Sequence, residues 1–338
     1  MKNRVISLVL AGFVLLLMIS FQSTSHDFEI PEGWPVPTYD FAQNPLTDAQ
    51  ARLGRQLFYD DVLSSDSTIN CSSCHLQYTA FTHIDHDLSH GVKNRIGIRN
   101  SPALMNLAWS TSFMWDGSVH HLDMQALAPI TDSTEMDNDF SALIEKMQAS
   151  DKYQLLFRNA YGDTKVTGER FLKSLSQFLL TLVSANSKYD KVMRKEAEFT
   201  EQEANGYQTF KTNCATCHQE PLFTNYAFEN NGLPVDTTLN DFGRMRVTGQ
   251  SKDSLKFKVP TLRNIEFSYP YMHDGRFKKL HEVLDHYTKG IQESPTLATP
   301  LQSPIVLTAN EKVDLVAFLL TLTDREFLFN PKHSFIRD

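Results

Sequence analysis

Cys71-Ser72-Ser73-Cys74-His75 and Cys214-Ala215-Thr216-Cys217-His218 together take up all four cysteines of this 338-residue chain. Each is a Cys-x-x-Cys-His run, the pattern by which two thiols add to the vinyl groups of one haem while the adjacent histidine is held beneath the iron. Two cysteine pairs could instead share one structural zinc or close two redox disulfides. Neither alternative asks for a histidine directly after both pairs, and the pairs lie far apart in sequence. The chain is therefore expected to carry two covalent c-type haems, attached at Cys71, Cys74, Cys214 and Cys217, with His75 and His218 as the proximal iron ligands.

In residues 1–25, Lys2 and Arg4 lead into an apolar run from Val5 to Phe21, followed by the polar stretch Gln22 to Ser25. This reads as a signal peptide or, because the run is long and no small-x-small cleavage site follows it, as a retained membrane anchor. Both stay open, and both place the rest of the chain outside the cytoplasm. Bacterial c-type haem is attached there, so a periplasmic location agrees with the motifs. The roughly 310 residues that follow suffice for two domains of ordinary size. Formal charge is -8 for the whole chain and -10 without residues 1–25, which hold two bases and no acid. A net acidic chain without a basic run is a poor candidate for nucleic acid and favours, if anything, a basic protein partner.

The duplication extends beyond the haem motifs. Thr47-Asp48-Ala49-Gln50 and Thr200-Glu201-Gln202-Glu203 both read as capping boxes that open a helix ahead of a haem motif. Gly54 and Gly206 fall inside these helices at similar offsets. Downstream, Phe178 to Leu182 and Phe318 to Leu322 spell the same five letters, the second behind a further capping box, Thr308 to Glu311. Each half thus reads as an opening helix, a haem motif, a long irregular stretch and a closing helix, with few alternating runs. The expected fold is all-α, with two cytochrome c-like domains at 26–190 and 191–338. The charged stretch Asn186 to Phe199 is the expected boundary.

With these landmarks the chain resembles the bacterial diheme cytochrome c peroxidases and the related MauG. The likeness runs from about Asn44 to Asp324. It passes through Leu53-Gly54-Arg55-Gln56-Leu57-Phe58, Arg99-Asn100-Ser101-Pro102, Trp115-Asp116-Gly117, Val259-Pro260-Thr261-Leu262-Arg263-Asn264 and Pro270-Tyr271-Met272-His273-Asp274-Gly275. The resemblance implies that the His75 haem is the peroxidatic centre and the His218 haem an electron reservoir. It places the acid-base role on a glutamate ten residues after a glutamine, with a proline four after that glutamine. Gln125, Pro129 and Glu135 keep both intervals. Glu135 is then the proton carrier and Gln125 orients bound peroxide or water. Trp115 matches a tryptophan that lies between the haems.

The resemblance also implies a loop histidine as a sixth ligand of the first iron. His90 stands for it, with His83 and His86 as competitors and an interval to Arg99-Asn100 that departs from the peroxidases. At the second iron the peroxidases carry a methionine fourteen residues after the histidine of Pro-Tyr-x-His, where MauG has a tyrosine; here the residue is Tyr287. A phenolate favours ferric and more oxidised iron, whereas a thioether raises the potential. Met272 competes as a ligand by residue type, though its position matches a packing aromatic in relatives. A calcium ion is implied between the domains, on the Asn100 side chain and the Ser268 and Pro270 carbonyls. MauG's surface tryptophan, two residues before its second haem motif, is replaced by Thr212, with Tyr207 and Phe210 nearby.

The function expected is reduction of hydrogen peroxide to water through a high-valent diheme state, with electrons from an external donor such as a small c-type cytochrome or cupredoxin. Oxidative modification of a protein or small molecule, in the manner of MauG, is the second possibility. A non-catalytic electron carrier or redox sensor is the third. A homodimer is implied by the family alone.

Overall fold

The structure is a computed structural model that describes residues 25–336. Apart from Ser25, the export segment and its two alternatives lie outside the described residues. Among these, no helix is long and apolar enough to cross a membrane.

Each half is organised by a pair of crossing helices. Opening helix Asp48–Phe58 packs on closing helix Gly168–Leu180, and Glu201–Asn213 packs on Ala309–Leu320. A glycine makes each crossing close. A Cβ on Gly54 would lie 1.8 Å from the Ser174 carbonyl oxygen, and one on Gly206 would lie 1.9 Å from that of Asp314. No side chain fits either place. One turn further on, Phe178 and Phe318 bury their rings fully, each in its own apolar cluster. In the first half Phe140–Gln148 and Asp151–Tyr161 follow one another closely, the latter packing on the opening helix; the remaining helices are short and set in irregular stretches. The only regular sheet among the described residues is a two-residue antiparallel ladder, Phe228–Glu229 with Phe257–Lys258.

The capping boxes at Thr200 and Thr308 form in full, but the one at Thr47 forms only by half. Thr47 accepts from the Gln50 backbone, while the Gln50 side-chain oxygen is taken at 2.6 Å by the Gln177 amide. The cap is exchanged for a tie to the closing helix. Asn186 to Phe199 is likewise no loose linker. It contains helix Lys188–Met193, whose Asp190 is held by both terminal nitrogens of Arg263 at 2.7 and 2.9 Å. Arg263 exposes nothing to solvent, and a buried guanidinium requires such a paired carboxylate.

A second duplication links the irregular stretches at a fixed spacing of 158 residues: Pro102 with Pro260, Asn106 with Asn264, Met114 with Met272, Trp115 with His273, Gly117 with Gly275, and Pro129 with Tyr287. The backbone repeats with it. Both asparagines, both methionines and both glycines have positive φ, and the turns close with the matching bridges Phe113 to Val119 and Tyr271 to Phe277. The two turns pack reciprocally. Gly117 lies under Phe228 and Arg244 of the second half, and Gly275 lies under the Asp87 backbone of the first.

Candidate active site and haem centres

The four cysteines are free, and among the described residues no three or more His, Cys, Asp or Glu side chains converge on one metal position. The disulfide and shared-zinc alternatives therefore find no support in the geometry. Burial, with the neighbouring cysteine adding to it, pushes the Cys71 and Cys214 thiols up to about 12.

Cys71–Cys74 form a single helical turn capped by His75, whose backbone N–H returns to the Cys71 carbonyl. The Asn70 and Ser73 side chains close the start of that turn. His218 makes the same return to Cys214, directly at the end of the second opening helix. In both histidines Nδ1 donates to backbone carbonyls: His75 to Phe81 at 2.7 Å, and His218 to Phe223 at 3.2 Å and Pro260 at 3.1 Å. With Nδ1 so occupied, Nε2 keeps the free lone pair in both rings, the arrangement expected of a metal-bound histidine. The residues fit two covalently attached haems.

Glu135 lies close enough to the first motif that its charge bears on both Cys71 and Cys74. Its segment is pinned from two sides: Val92 N–H donates to the Glu135 carbonyl at 2.8 Å, and Ser65 N–H donates to that of Met136 at 2.9 Å. Gly91 permits the first contact, since a Cβ there would lie 2.1 Å from the Thr134 oxygen. Burial, reinforced by Asp132, pushes the Glu135 carboxyl up to about 7. Gln125 closes helix Leu122–Gln125 and donates to the Met114 sulfur at 3.8 Å.

His90 has its backbone carbonyl beside the Cys74 sulfur at 3.8 Å. Its ring stacks on His86 at 4.0 Å, and His86 stacks on His83 at 5.0 Å. The three candidate loop histidines thus form one parallel pile, an arrangement that the sequence did not reveal.

Tyr287 falls in a five-residue π turn, His286–Gly290, that ends the helix begun at Leu280. Such turns recur at functional sites. Burial pushes its phenol up to about 12, against the Asn231 side chain and with Cys214 and Cys217 nearby. Asn231 also donates to the Met272 sulfur at 3.5 Å, so both candidate ligands meet one amide. The repeat makes the contrast between the two halves explicit: where the second has Tyr287, the first has Pro129, which has no side-chain donor for iron.

Trp115 joins the halves. Its indole N–H donates to the Asn100 carbonyl at 2.8 Å, and its own carbonyl accepts from Lys258 N–H. Beside it Arg99 grips Asp241 of the second half at 2.6 and 2.9 Å and Asp116 of the first at 2.7 Å. Of the expected calcium ligands, Asn100 and Pro270 are adjacent, with the Asn100 amide 2.9 Å from the Pro270 oxygen. Ser268 is partly buried in the same segment.

Fold and sites together define a two-haem c-type cytochrome with unlike halves, a buried carboxyl standing near the first motif and a buried phenol near the second. Residues 48–198 match the family described as di-haem cytochrome c peroxidase, and residues 203–323 match cytochrome c. The methylamine utilization protein MauG of Methylorubrum extorquens is 35% identical over 87% of this chain and 83% of its own length. The cytochrome c551 peroxidase of Nitrosomonas europaea is 34% identical over 83% and 82%. A crystal structure of a MauG-like protein associated with microbial copper homeostasis superposes with a TM-score of 0.80 at 30% identity, covering 92% of this chain and 99% of that one. The chain belongs to the di-haem cytochrome c peroxidase and MauG family, and it is an oxidoreductase with two c-type haems.

Proposed function

We propose that the protein reduces hydrogen peroxide to water at the His75 haem, using electrons from an external one-electron donor. The observation that carries this is Glu135: a carboxyl poised near neutrality beside the first haem motif, in the half where the repeat substitutes Pro129 for a potential iron ligand. A haem held by Cys71, Cys74 and His75 would supply the iron and the electrons for splitting the O–O bond. Glu135 takes the proton from the bound oxygen and returns it to the departing one, and near-neutral acidity suits both transfers. Gln125, one turn before Pro129, orients the peroxide. Trp115 relays electrons across the seam that it bridges, and Tyr287 ligates the second iron.

Glu135→Gln is expected to slow peroxide turnover by about 10²- to 10⁴-fold in a stopped-flow assay with a reduced c-type cytochrome, while both haem spectra stay as in wild type. Turnover within twofold of wild type would sink the assignment and favour an electron carrier or sensor.

Tyr287 in place of a methionine supports a second reading, in which peroxide leaves a long-lived oxidant that modifies a protein or small molecule. Thr212 weighs against the exit route expected by resemblance to MauG. Negligible donor turnover with a persistent oxidised spectrum would favour this reading. The domain limits 26–190 and 191–338, a periplasmic location, a small c-type cytochrome or cupredoxin donor and a homodimer belong to the same proposal. So does a calcium ion on Asn100, Ser268 and Pro270. It requires the Asn100 amide to turn its oxygen toward Pro270, and chelation should then lower the melting temperature.

A further inference from the structure

We propose that the C-terminal tail, residues 325–336, crosses back to the first half and positions the proximal ligand of its haem, Phe327 and His333 holding Phe81 so that its carbonyl accepts the hydrogen bond of His75 Nδ1.

The two proximal histidines are not held alike. Each faces two carbonyls, Phe81 and Pro102 at His75 and Phe223 and Pro260 at His218, but His75 Nδ1 donates to Phe81 at 2.7 Å, whereas His218 Nδ1 reaches its pair only at 3.2 and 3.1 Å. The shorter bond leaves more negative charge on the ring and makes its Nε2 the stronger donor to iron. A stronger donor stabilises oxidised iron, as a peroxide-splitting centre requires.

Both acceptor phenylalanines, Phe81 and Phe223, have left-handed backbones, with φ of 59° and 54°, and Ala80 before Phe81 has the same sign. A residue with a bulky side chain holds that conformation at a cost of about 1–3 kcal/mol, and only where its surroundings fix it. Phe223 is fixed within a single apolar cluster, by Tyr189, Phe210 and Phe318 at 4.7 to 6.3 Å. Phe81 is fixed from both halves. Phe58 and Phe178 come from the first half, but Phe327 at 5.8 Å and His333 at 6.2 Å come from the tail.

The tail is tied down on either side of the first haem motif. The Tyr59 hydroxyl donates to the His333 carbonyl and the Gln77 amide to that of Asn330, both at 2.8 Å, and Arg55 donates to the Lys332 carbonyl. His333 itself is buried, with Nδ1 on the Phe327 carbonyl at 3.3 Å. The last residues of the second half thus complete the wall behind the first half's ligand.

The inference rests on the first haem being the reacting one, and the test separates the two claims. In the full-length, haem-loaded protein, His333→Ala and the milder Tyr59→Phe are compared with His333→Phe, which keeps a ring against Phe81. Midpoint potentials of both haems and the rate of reaction with peroxide are measured. His333→Ala should raise the first haem's potential, leave the second unchanged and slow the peroxide reaction by about tenfold. Tyr59→Phe should shift the potential the same way by less, and His333→Phe should restore it. An unchanged first potential in either Tyr59→Phe or a folded His333→Ala overturns the clamp, as does an equal shift at both haems. A shifted first potential with an unchanged peroxide rate would keep the clamp and overturn the assignment of the reacting haem.

Discussion

At the scale of single residues, the pH dependence of the reaction follows from Glu135. Its carboxyl is pushed up to about 7 by burial, and it must be ionised to accept the proton of peroxide. The rate of the first step should therefore fall as pH drops through about 7, and this limb should vanish in Glu135→Gln. A stopped-flow profile between pH 5 and 9 reads it, and an unchanged limb in the variant would assign the titration to another group. Tyr287 gives the second prediction. Tyr287→Phe keeps the ring in the π turn and removes only the oxygen, so a low-spin ferric signal of the second haem should be lost while the first haem's signal remains. An unchanged electron paramagnetic resonance spectrum would return the ligand question to Met272, which meets the same Asn231 amide.

At the scale of elements, the two helix crossings depend on the absence of one methyl group each. Gly54→Ala and Gly206→Ala would put a Cβ within 2 Å of a carbonyl oxygen on the facing helix, and backbone cannot yield as a side-chain tip can. Each should lower stability by at least about 1–3 kcal/mol, the usual range for overpacking, as read from the urea midpoint of the haem-loaded protein. A loss below 0.5 kcal/mol would show that the helices part easily. These helices were legible because each signal was local: a hydroxyl at the cap, an acid or amide three residues on, an apolar run. Glu135, Gln125 and Pro129 were singled out by their intervals alone, and of the three it is Glu135 whose charge bears on the first haem motif. The half-formed cap at Thr47 was not, because Gln177, which captures Gln50, lies 127 residues away. Nor was the burial of Asp190, which stands in a stretch whose charge reads as linker until Arg263 is brought to it. The 158-residue repeat is faint in letters, since Trp115 faces His273 and Pro129 faces Tyr287, and it becomes plain when both turns show the same positive φ positions.

For the whole molecule, the seam between the halves turns on Arg99, a landmark of the resemblance whose pairing no local pattern revealed. Asp241 is almost wholly buried. That burial would raise its carboxyl, but two hydrogen bonds and the charge of Arg99 outweigh it and hold the group below the usual carboxylate range. A depressed carboxyl contributes its stability at pH values above its unfolded value, near 4. The contribution is then lost as pH falls through the lower folded value. The pair should therefore hold the seam throughout the neutral range and release it only in acid. Arg99→Met should remove this pairing at all pH values and leave the buried Asp241 only Arg246, at 3.7 Å, as a cationic partner, at a cost of up to about 3–5 kcal/mol. The seam also carries Trp115, anchored on one side to Asn100 and on the other to Lys258, so electron exchange between the haems should slow in the same variant. Calorimetry should then resolve two unfolding transitions where wild type gives one. A single transition with unchanged exchange would mean that the crossing tail and the reciprocal turns, not Arg99, keep the two haems in register.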